Sequence, residues 1–215
     1  QAGGRLSREL SVEFADICEQ KGIRFYTMYG QTEATARMSY LSWEYAKKKA
    51  GSIGIAIPGG VFWIEDKKGN VIEENNIPGE LIYQGDNVAL GYAESFLDLC
   101  KGDENGGILY TGDVAKRDED GFYYIVGRKK RFLKIFGHRV SLDEVEQLVK
   151  AAGNDCVCAG TDDNMKIYVT TLDNKDQLKS YITECTGINQ SGFTIVHIKK
   201  IPRNESGKVL YSTLN

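Results

Sequence analysis

Hydrophobic and polar positions in residues 1–50 follow first a helical and then a strand-like pattern. Before Gly22, apolar residues recur at the spacing of one helix face: Leu6, Leu10, Phe14, Ile17 and Cys18. Gly22 supplies a helix stop, and residues 23–29 form a β-rich run that ends at Gly30. We therefore predict an α/β segment over residues 1–50, with a polar loop at the carboxyl end of its strand, where ligands often bind.

The pattern changes at Gly51. Short strand-like runs cover residues 61–65, 80–84 and 122–126, and turn signals rich in Gly, Asn and Asp separate them. This spacing is typical of a small antiparallel barrel or sandwich. We predict a β-subdomain over residues 51–129.

A basic run at residues 127–131 precedes a new α+β pattern. It predicts four strands and two helices: strands 132–136, 155–159, 166–172 and 193–198, and helices 141–152 and 175–186. Ser141 and Glu144 are spaced as a capping box at the first of these helices, and Gly153 ends it. Asn174 and Gln177 repeat the same spacing at the second helix.

These patterns predict a mixed α+β and α/β fold. A partial α/β segment and a small antiparallel β-subdomain, together residues 1–129, precede a compact α+β C-terminal lid at residues 130–215. We place the domain boundary near residue 130, where the basic run separates the two hydrophobic patterns.

Composition narrows the function classes. The hydrophobic fraction of 41% and the charged fraction of 27% are typical of a globular protein. A net charge of −3 gives no basic field that would favour nucleic acid or an anionic membrane. No apolar run approaches the roughly 20 residues that span a bilayer, so we predict no transmembrane segment.

The five cysteines are scattered along the chain, and only Cys156 and Cys158 are close together. These two alternate in a predicted strand and so point to one face. A metal site would need a second ligand pair, which neither His138 nor His197 completes. Buried free thiols are the favoured interpretation, and they suit a reducing cytoplasm.

One segment at the carboxyl end of the first predicted strand carries several functional groups that could bind a ligand. Residues 29–33, Tyr-Gly-Gln-Thr-Glu, place an aromatic ring, a hydroxyl and a carboxylate on one tight loop. Such a ring can stack on a base, a Thr hydroxyl can bond a phosphate oxygen, and a carboxylate suits Mg²⁺. Taken alone, a turn leading into a helix capped by Thr32 is the more economical interpretation.

Other polar segments lie where the pattern predicts exposed turns: residues 110–113, 127–128 with 137–139, and 202–208. Asp113 follows a predicted strand and could accept both hydroxyls of a ribose, although Gly-Asp is also a common turn pair. Gly207-Lys208 lacks the upstream glycine and the following Ser or Thr of a phosphate-binding loop. Taken alone, Lys208 would be a solvated charge.

In this order, the segments resemble the superfamily of AMP-forming acyl-activating enzymes, which includes acyl-CoA synthetases, adenylation domains and firefly-type luciferases. The resemblance covers essentially the whole chain, as the C-terminal portion of such an enzyme. Its segments are residues 29–33, 51–54 with 58–59, 79–81 with Gly85 and 91–92, 110–113, 127–146 and 202–208.

The resemblance implies a role for each candidate residue. Tyr29 would stack on adenine, Asp113 would bind the ribose hydroxyls, and Arg128 would be a second ribose or phosphate contact. Thr32, Glu33 and Lys208 would be catalytic: Thr32 on the adenylate phosphate, Glu33 as the Mg²⁺ ligand, and Lys208 bridging the carboxylate substrate and the α-phosphate. The implied small molecules are ATP, AMP, CoA and a carboxylic acid.

The resemblance also implies that the C-terminal lid rotates between two half-reactions. Its pivot would be Lys130, and the loop around Gly137 would then approach the site and leave space for a pantetheine arm. At Gly30, short-chain members have a Trp that shortens the acyl pocket, so a glycine there implies room for a longer acid.

Two function classes stay open. The first is an acid–thiol ligase with CoA, or a carrier-protein pantetheine, as acceptor. The second is a non-catalytic nucleotide-binding or interaction module of the same fold. The Ser/Thr/Gly-rich loop that would hold the β- and γ-phosphates is not among the 215 residues, so we expect this chain to be inactive alone. An uncovered strand edge in its first segment favours self-association.

Overall fold

The computed structural model describes residues 1–4, 6–172, 174–205 and 207–214. They form two compact units, Gln1–Val126 and Gly127–Asn215. Each unit combines helices with small sheets, so the predicted mixed α+β class is confirmed. Within the described ranges, no helix is both long and apolar enough to cross a membrane.

The first unit begins with helix α1, Arg8–Gln20, followed by strands β1, Thr27–Tyr29, β2, Ser39–Leu41, and β3, Ile55–Ala56. The strands form an antiparallel sheet in the order β1-β2-β3. The predicted strand over residues 23–29 is shorter in the structure. The amide of Ile23 donates to the Cys18 carbonyl at 2.8 Å, so this residue closes the helix end instead of joining the sheet.

The predicted β-subdomain is a four-stranded sheet. Its strands are β4, Val61–Glu65, β5, Gly79–Gln84, β6, Ile108–Arg117, and β7, Tyr123–Arg128, in the order β4-β5-β6-β7. Alternate side chains of these strands pack into one core that includes Phe62, Leu81 and Tyr83. The Tyr123 hydroxyl enters the same core and donates to the Phe62 carbonyl at 3.0 Å.

The second unit has a two-stranded sheet of β8, Phe132–Ile135, and β9, His138–Ser141. Helix α2, Leu142–Ala151, follows directly. Strands β10, Cys156–Thr161, and β11, Asn164–Val169, then form a tight antiparallel hairpin. Helix α3, Lys175–Thr186, leads to β12, Phe193–His197, which pairs parallel with β11.

Helix capping in the second unit agrees with the sequence. The Ser141 hydroxyl accepts from the Glu144 amide at 3.3 Å, and the Asn174 side chain accepts from the Gln177 amide at 3.0 Å. These bonds satisfy amides that have no partner inside a helix. Strand β9 was not predicted, because its first two residues, His138 and Arg139, are exposed and give no apolar alternation.

The prediction of buried thiols is confirmed for only part of the cysteines. Cys156 and Cys158 are buried on one face of β10, in the core between the sheet and the helices. Cys100 and Cys185 are exposed, so the expectation was wrong for these two. Cys100 ends the 3₁₀ turn Phe96–Cys100, which has no buried residue, and Cys185 lies in α3, so neither is on the inner face of a sheet.

A buried arginine joins four parts of the second unit. The Arg131 guanidinium donates to Asp143 at 2.6 Å, forms an ion pair with Glu146, and lies 4.0 Å from the ring centre of Tyr211. It also donates to the carbonyl of Cys158 at 3.3 Å. Burial raises the pKa of Glu146, and the charge of Arg131 opposes that rise. The charge of the arginine therefore favours the ionised form of this carboxylate against the effect of burial.

Replacing Arg131 by Ala is expected to destabilise the second unit by about 3–5 kcal/mol, because two carboxylates lose their cation in a buried site. The matched control is Lys47→Ala, which removes an exposed cation that also contacts two acids, Asp16 and Glu19. It should have little effect, since exposed ion pairs contribute little.

Urea unfolding with two probes checks this expectation. Both tryptophans, Trp43 and Trp63, lie in the first unit, so their fluorescence reports that unit, whereas far-UV circular dichroism reports both. Arg131→Ala should lower the dichroism transition and leave the fluorescence transition in place. An unchanged dichroism transition would contradict the structural role of this arginine.

Candidate functional site

The polar centre of the first unit lies at a bulge in strand β6. Glu80 pairs with Val114 and Ile82 with Tyr110, so three residues of β6 lie opposite Leu81 alone. Gly112, in the middle of the three, has φ +69°, a left-handed conformation that glycine adopts without steric cost. Such bulges bend a strand and redirect its side chains.

Hydrogen bonds fix the shape of this bulge. The Thr111 hydroxyl donates to the Leu81 carbonyl at 2.7 Å and accepts from the Asp113 amide at 3.1 Å. Both Thr111 and Asp113 are buried. The prediction that residues 110–113 form an exposed turn at a strand end is wrong, because strand pairing continues on both sides of the bulge.

Asp113 meets the end of strand β1. Its Oδ2 accepts from the Tyr29 hydroxyl at 2.6 Å and from the Gln31 amide group at 3.1 Å. The same Gln31 nitrogen donates to the Thr111 carbonyl at 2.9 Å. Two sequence segments predicted to share one ligand are thus joined directly, although they lie 84 residues apart.

The electrostatics of this cluster favour the protonated phenol of Tyr29. Burial raises the pKa of Tyr29 well above its usual range, and the negative charge of Asp113 raises it further. Tyr29 therefore stays protonated and donates its hydrogen bond. Its ring is partly exposed and lies 6.4 Å from the ring centre of Phe62, tilted by 56°.

Gln31 was not singled out from the sequence. Its backbone is extended, with φ −129° and ψ 159°. In extended backbone the residues i and i+2 lie on one side, so Gln31 follows Tyr29 toward Asp113. A polar amide two residues after the tyrosine was the available signal.

Gly30 has a steric role within its own loop. A Cβ at this position would lie 2.4 Å from the carbonyl oxygen of Ala36. The missing side chain thus makes room for the returning backbone of the loop.

The loop after Gly30 presents the remaining candidates of the first unit. Thr32–Ala34 is one 3₁₀ turn, and Thr32 is exposed at its start. Thr32 is the first residue inside this turn and Gln31 is at its N-cap position, so the interpretation of Thr32 as the cap of a helix is wrong. Thr35 and Ala36 then have φ of 51° and 65°, which reverses the chain toward β2.

Segment 87–92 holds this loop in place. The side-chain amide of Asn87 donates to the Ala34 carbonyl at 2.8 Å, and the Ala89 amide donates to the Glu33 carbonyl at 2.7 Å. The Tyr92 hydroxyl donates to Oε1 of Glu33 at 2.6 Å. The structure thereby adds Tyr92 to the candidate residues, which the sequence marked only as part of a Gly-Tyr pair.

The donor set at Glu33 is compatible with Mg²⁺. Magnesium is usually held by one or two carboxylates together with substrate phosphates, not by a complete protein cage. Glu33 offers such a single, partly exposed carboxylate. In the described part of the chain, no group of three or more His, Cys, Asp or Glu side chains could hold a metal without a substrate.

The other candidates belong to the second unit. Arg128 ends β7, and Lys130 lies in the turn that follows, where the Arg131 amide donates to the Arg128 carbonyl at 2.8 Å. Gly137 has φ +84° in the turn between β8 and β9, with open space where a side chain would be.

Lys208 lies on a short hairpin. Arg203 and Val209 form an antiparallel bridge, and the backbone of Lys208 bonds to Asn204 in both directions, at 2.9 Å each. Ser206, also part of the predicted loop, lies outside the described residues. Lys208 is exposed, and among the described residues its ammonium group has no hydrogen bond or ion pair.

Comparisons with known proteins agree with this organisation. Residues 2–93 match the family model described as AMP-binding enzyme. A 2-succinylbenzoate–CoA ligase of Geobacillus sp. (strain WCH70) is 30% identical over 209 residues, which cover 91% of this chain and 41% of the relative. A long-chain-fatty-acid–CoA ligase of Yersinia pestis is 30% identical over 196 residues, which cover 85% of this chain and 34% of the relative.

A solved structure shows the same fold. The O-succinylbenzoate coenzyme A synthetase of Bacillus subtilis, in complex with ATP and a magnesium ion, superposes with a TM-score of 0.76 at 24% identity. The match covers 99% of this chain and 45% of the synthetase. The chain therefore spans less than half the length of the relatives it matches, and it is similar to AMP-binding enzymes, whose family model matches residues 2–93.

Proposed function

We propose that the chain is part of an AMP-forming acid–thiol ligase, which activates a carboxylic acid with ATP and transfers the acyl group to CoA. The observation that best supports this is the direct bond between Tyr29 and Asp113 at the base of the loop that presents Thr32 and Glu33. A ring that can stack on a base and a carboxylate that can accept ribose hydroxyls are thus joined directly, and the adjacent loop carries two groups that can face phosphates.

In this proposal the first unit binds and orients AMP or ATP. The partly exposed ring of Tyr29 stacks on adenine, and the carboxylate of Asp113 accepts the ribose hydroxyls. Gln31 and Tyr29 hold that carboxylate in a fixed position before the nucleotide arrives. Arg128 acts as a second contact to the ribose or phosphate.

The first half-reaction joins two anions. A carboxylate oxygen attacks the α-phosphorus, the bond to the β-phosphate breaks, and pyrophosphate leaves. Lys208 stabilises the charge that develops on the α-phosphate, and the Thr32 hydroxyl bonds a phosphate oxygen. Glu33, held by Tyr92, would bind Mg²⁺, which supplies further positive charge to the phosphates when present.

The second half-reaction transfers the acyl group. The thiol loses its proton, sulfur attacks the carbonyl carbon, and the carbon–oxygen bond to phosphate breaks with release of AMP. We propose that the second unit rotates at Lys130 between the steps, so that Lys208 leaves and the turn at Gly137 faces the pantetheine arm. The exposed turn at residues 129–130 supports a joint at this place.

The acid and the acceptor are open to direct test. Relatives act, by their names, on 2-succinylbenzoate and on long-chain fatty acids, which both carry a carboxylate. CoA and a carrier-protein pantetheine present the same thiol arm. We favour CoA, because both relatives are CoA ligases.

Pyrophosphate release by the full-length polypeptide tests the proposal. The panel should include acetate, dodecanoate, hexadecanoate and 2-succinylbenzoate, each with and without CoA. We expect pyrophosphate release to depend on one acid of the panel. We expect thioester formation to depend on CoA. ATP binding without release for any acid would support a non-catalytic module instead.

Lys208→Ala should slow adenylation by about 10²–10³-fold, because one well-placed cation at a developing charge is removed. Thioester formation from supplied acyl-adenylate should continue, since that step does not use the lysine. Lys200→Ala, another exposed lysine of the second unit, is the matched control and should be active in both steps. Near-normal pyrophosphate release by Lys208→Ala would remove the lysine from the mechanism.

Asp113→Asn should weaken ATP binding by about 10- to 100-fold, because hydrogen bonds to a charged acceptor are lost. Binding of 2′-deoxy-ATP, which makes fewer of these bonds, should weaken less. Tyr29→Phe keeps the ring and serves as the control for disturbance of the cluster, with a small expected effect. Calorimetric titration measures the affinity of each nucleotide for the unmodified protein and for both variants. Equal losses of affinity for ATP and 2′-deoxy-ATP in Asp113→Asn would argue against a ribose contact.

A further inference from the structure

The turn between β8 and β9 holds an aromatic residue in a strained conformation. Phe136 and Gly137 are its two central residues, with φ of +49° and +84°. Two-residue hairpins with positive φ at both positions normally use Asn-Gly or Gly-Gly. A bulky residue with positive φ is an outlier that costs of order 1–3 kcal/mol and needs outside support.

That support comes from the tight turn between β10 and β11. Oδ1 of Asp163 accepts from the Phe136 amide at 2.6 Å, and the Asp163 amide donates to the Lys134 carbonyl at 2.8 Å. Oδ1 of Asp162 accepts from the Lys134 amide at 2.7 Å. These bonds fasten β8, up to the first residue of the strained turn, to a separate hairpin of the same unit.

A second support lies under the ring of Phe136. A Cβ at Gly192 would be 2.4 Å from Cγ2 of Ile135 and 3.1 Å from Cε2 of Phe136. Only a glycine therefore lets β8 and this ring approach the backbone there. Phe136 is 53% exposed, so these contacts support one side of the turn while its other side faces solvent.

A strained, exposed and externally supported turn indicates a functional demand, since stability alone would favour a relaxed residue. We propose that Asp163 is a positioning residue, which holds the Phe136–Gly137 turn in the shape required for transfer of the acyl group to the thiol. This inference rests on the proposed function, in which that turn faces the pantetheine arm in the second half-reaction. In this proposal Asp163 acts through the turn and touches neither the acyl-adenylate nor the thiol substrate.

Two substitutions distinguish the effect of the carboxylate of residue 163 from the effect of its backbone conformation. Asp163 has φ +58°, which both Gly and Asn tolerate. Asp163→Gly removes the acceptor of the Phe136 amide and keeps the left-handed turn. Asp163→Asn keeps an acceptor oxygen in the same place and is the matched control.

Amide hydrogen exchange on the 215-residue chain tests the structural half of the inference. The peptide spanning residues 132–140 should exchange about tenfold faster in Asp163→Gly, because one hydrogen bond to a charged acceptor is lost. Asp163→Asn should exchange nearly as the unmodified chain does. Equal exchange in all three proteins would overturn the inference, whatever the activity of the full-length enzyme.

The two half-reactions of the full-length polypeptide test the functional half. The assay supplies CoA and the acyl-adenylate of the most active acid in the panel above. In it, Asp163→Gly should raise the KM for CoA, or lower the kcat of thioester formation, by about tenfold. Pyrophosphate release should be unchanged, and Asp163→Asn should restore transfer. Equal slowing of both half-reactions, or of neither, would overturn the positioning role while leaving the proposed function intact. Absence of thioester in the unmodified enzyme would instead overturn the proposed function, and this inference with it.

Discussion

A buried carboxylate cannot stay ionised without partners, and that constraint organises the first unit around Asp113. Its donors, Tyr29 and Gln31, come from the end of β1, while the carboxylate itself comes from the bulge in β6. These hydrogen bonds connect the loop after Gly30 to the sheet. Thr32 and Glu33 lie on that loop, and Asn87 and Tyr92 hold it from the other side. A site built in this way is preorganised, because its polar groups are already oriented before a ligand binds.

The second unit satisfies the same constraint with the charges reversed. Arg131 is a buried cation, and its partners Asp143, Glu146 and Tyr211 connect β8, α2 and the C-terminal segment. These contacts connect three segments of the unit immediately after the turn at residues 129–130. The rotation proposed at Lys130 would require these segments to move together. The strained turn at Phe136 and the hairpin of Lys208 belong to this same unit.

Sequence reasoning succeeded where the physical cause is local. The helix over residues 175–186 was predicted with the bounds that the structure shows, because Asn174 caps its start and Gly187, with φ +70°, ends it. Strand 61–65 was likewise correct, because its side chains alternate between core and surface. The candidate list from the resemblance contained both Tyr29 and Asp113, which the structure brings together. It gave no sign of Asp163 or Arg131, since neither has a local pattern.

The sequence by itself therefore determined the three helices, strands with clear alternation such as β4, the N-caps of α2 and α3, the change of pattern near residue 130 and the resemblance to an enzyme family. Only the tertiary structure decided that Asp113 is buried in a bulge, that Gly30 makes room for the Ala36 carbonyl, and that Tyr92 reaches Glu33. The reason is distance along the chain. Caps and periodicity depend on neighbours within a few residues, whereas a bulge, a close backbone approach or a long-range hydrogen bond depends on how separate strands pair.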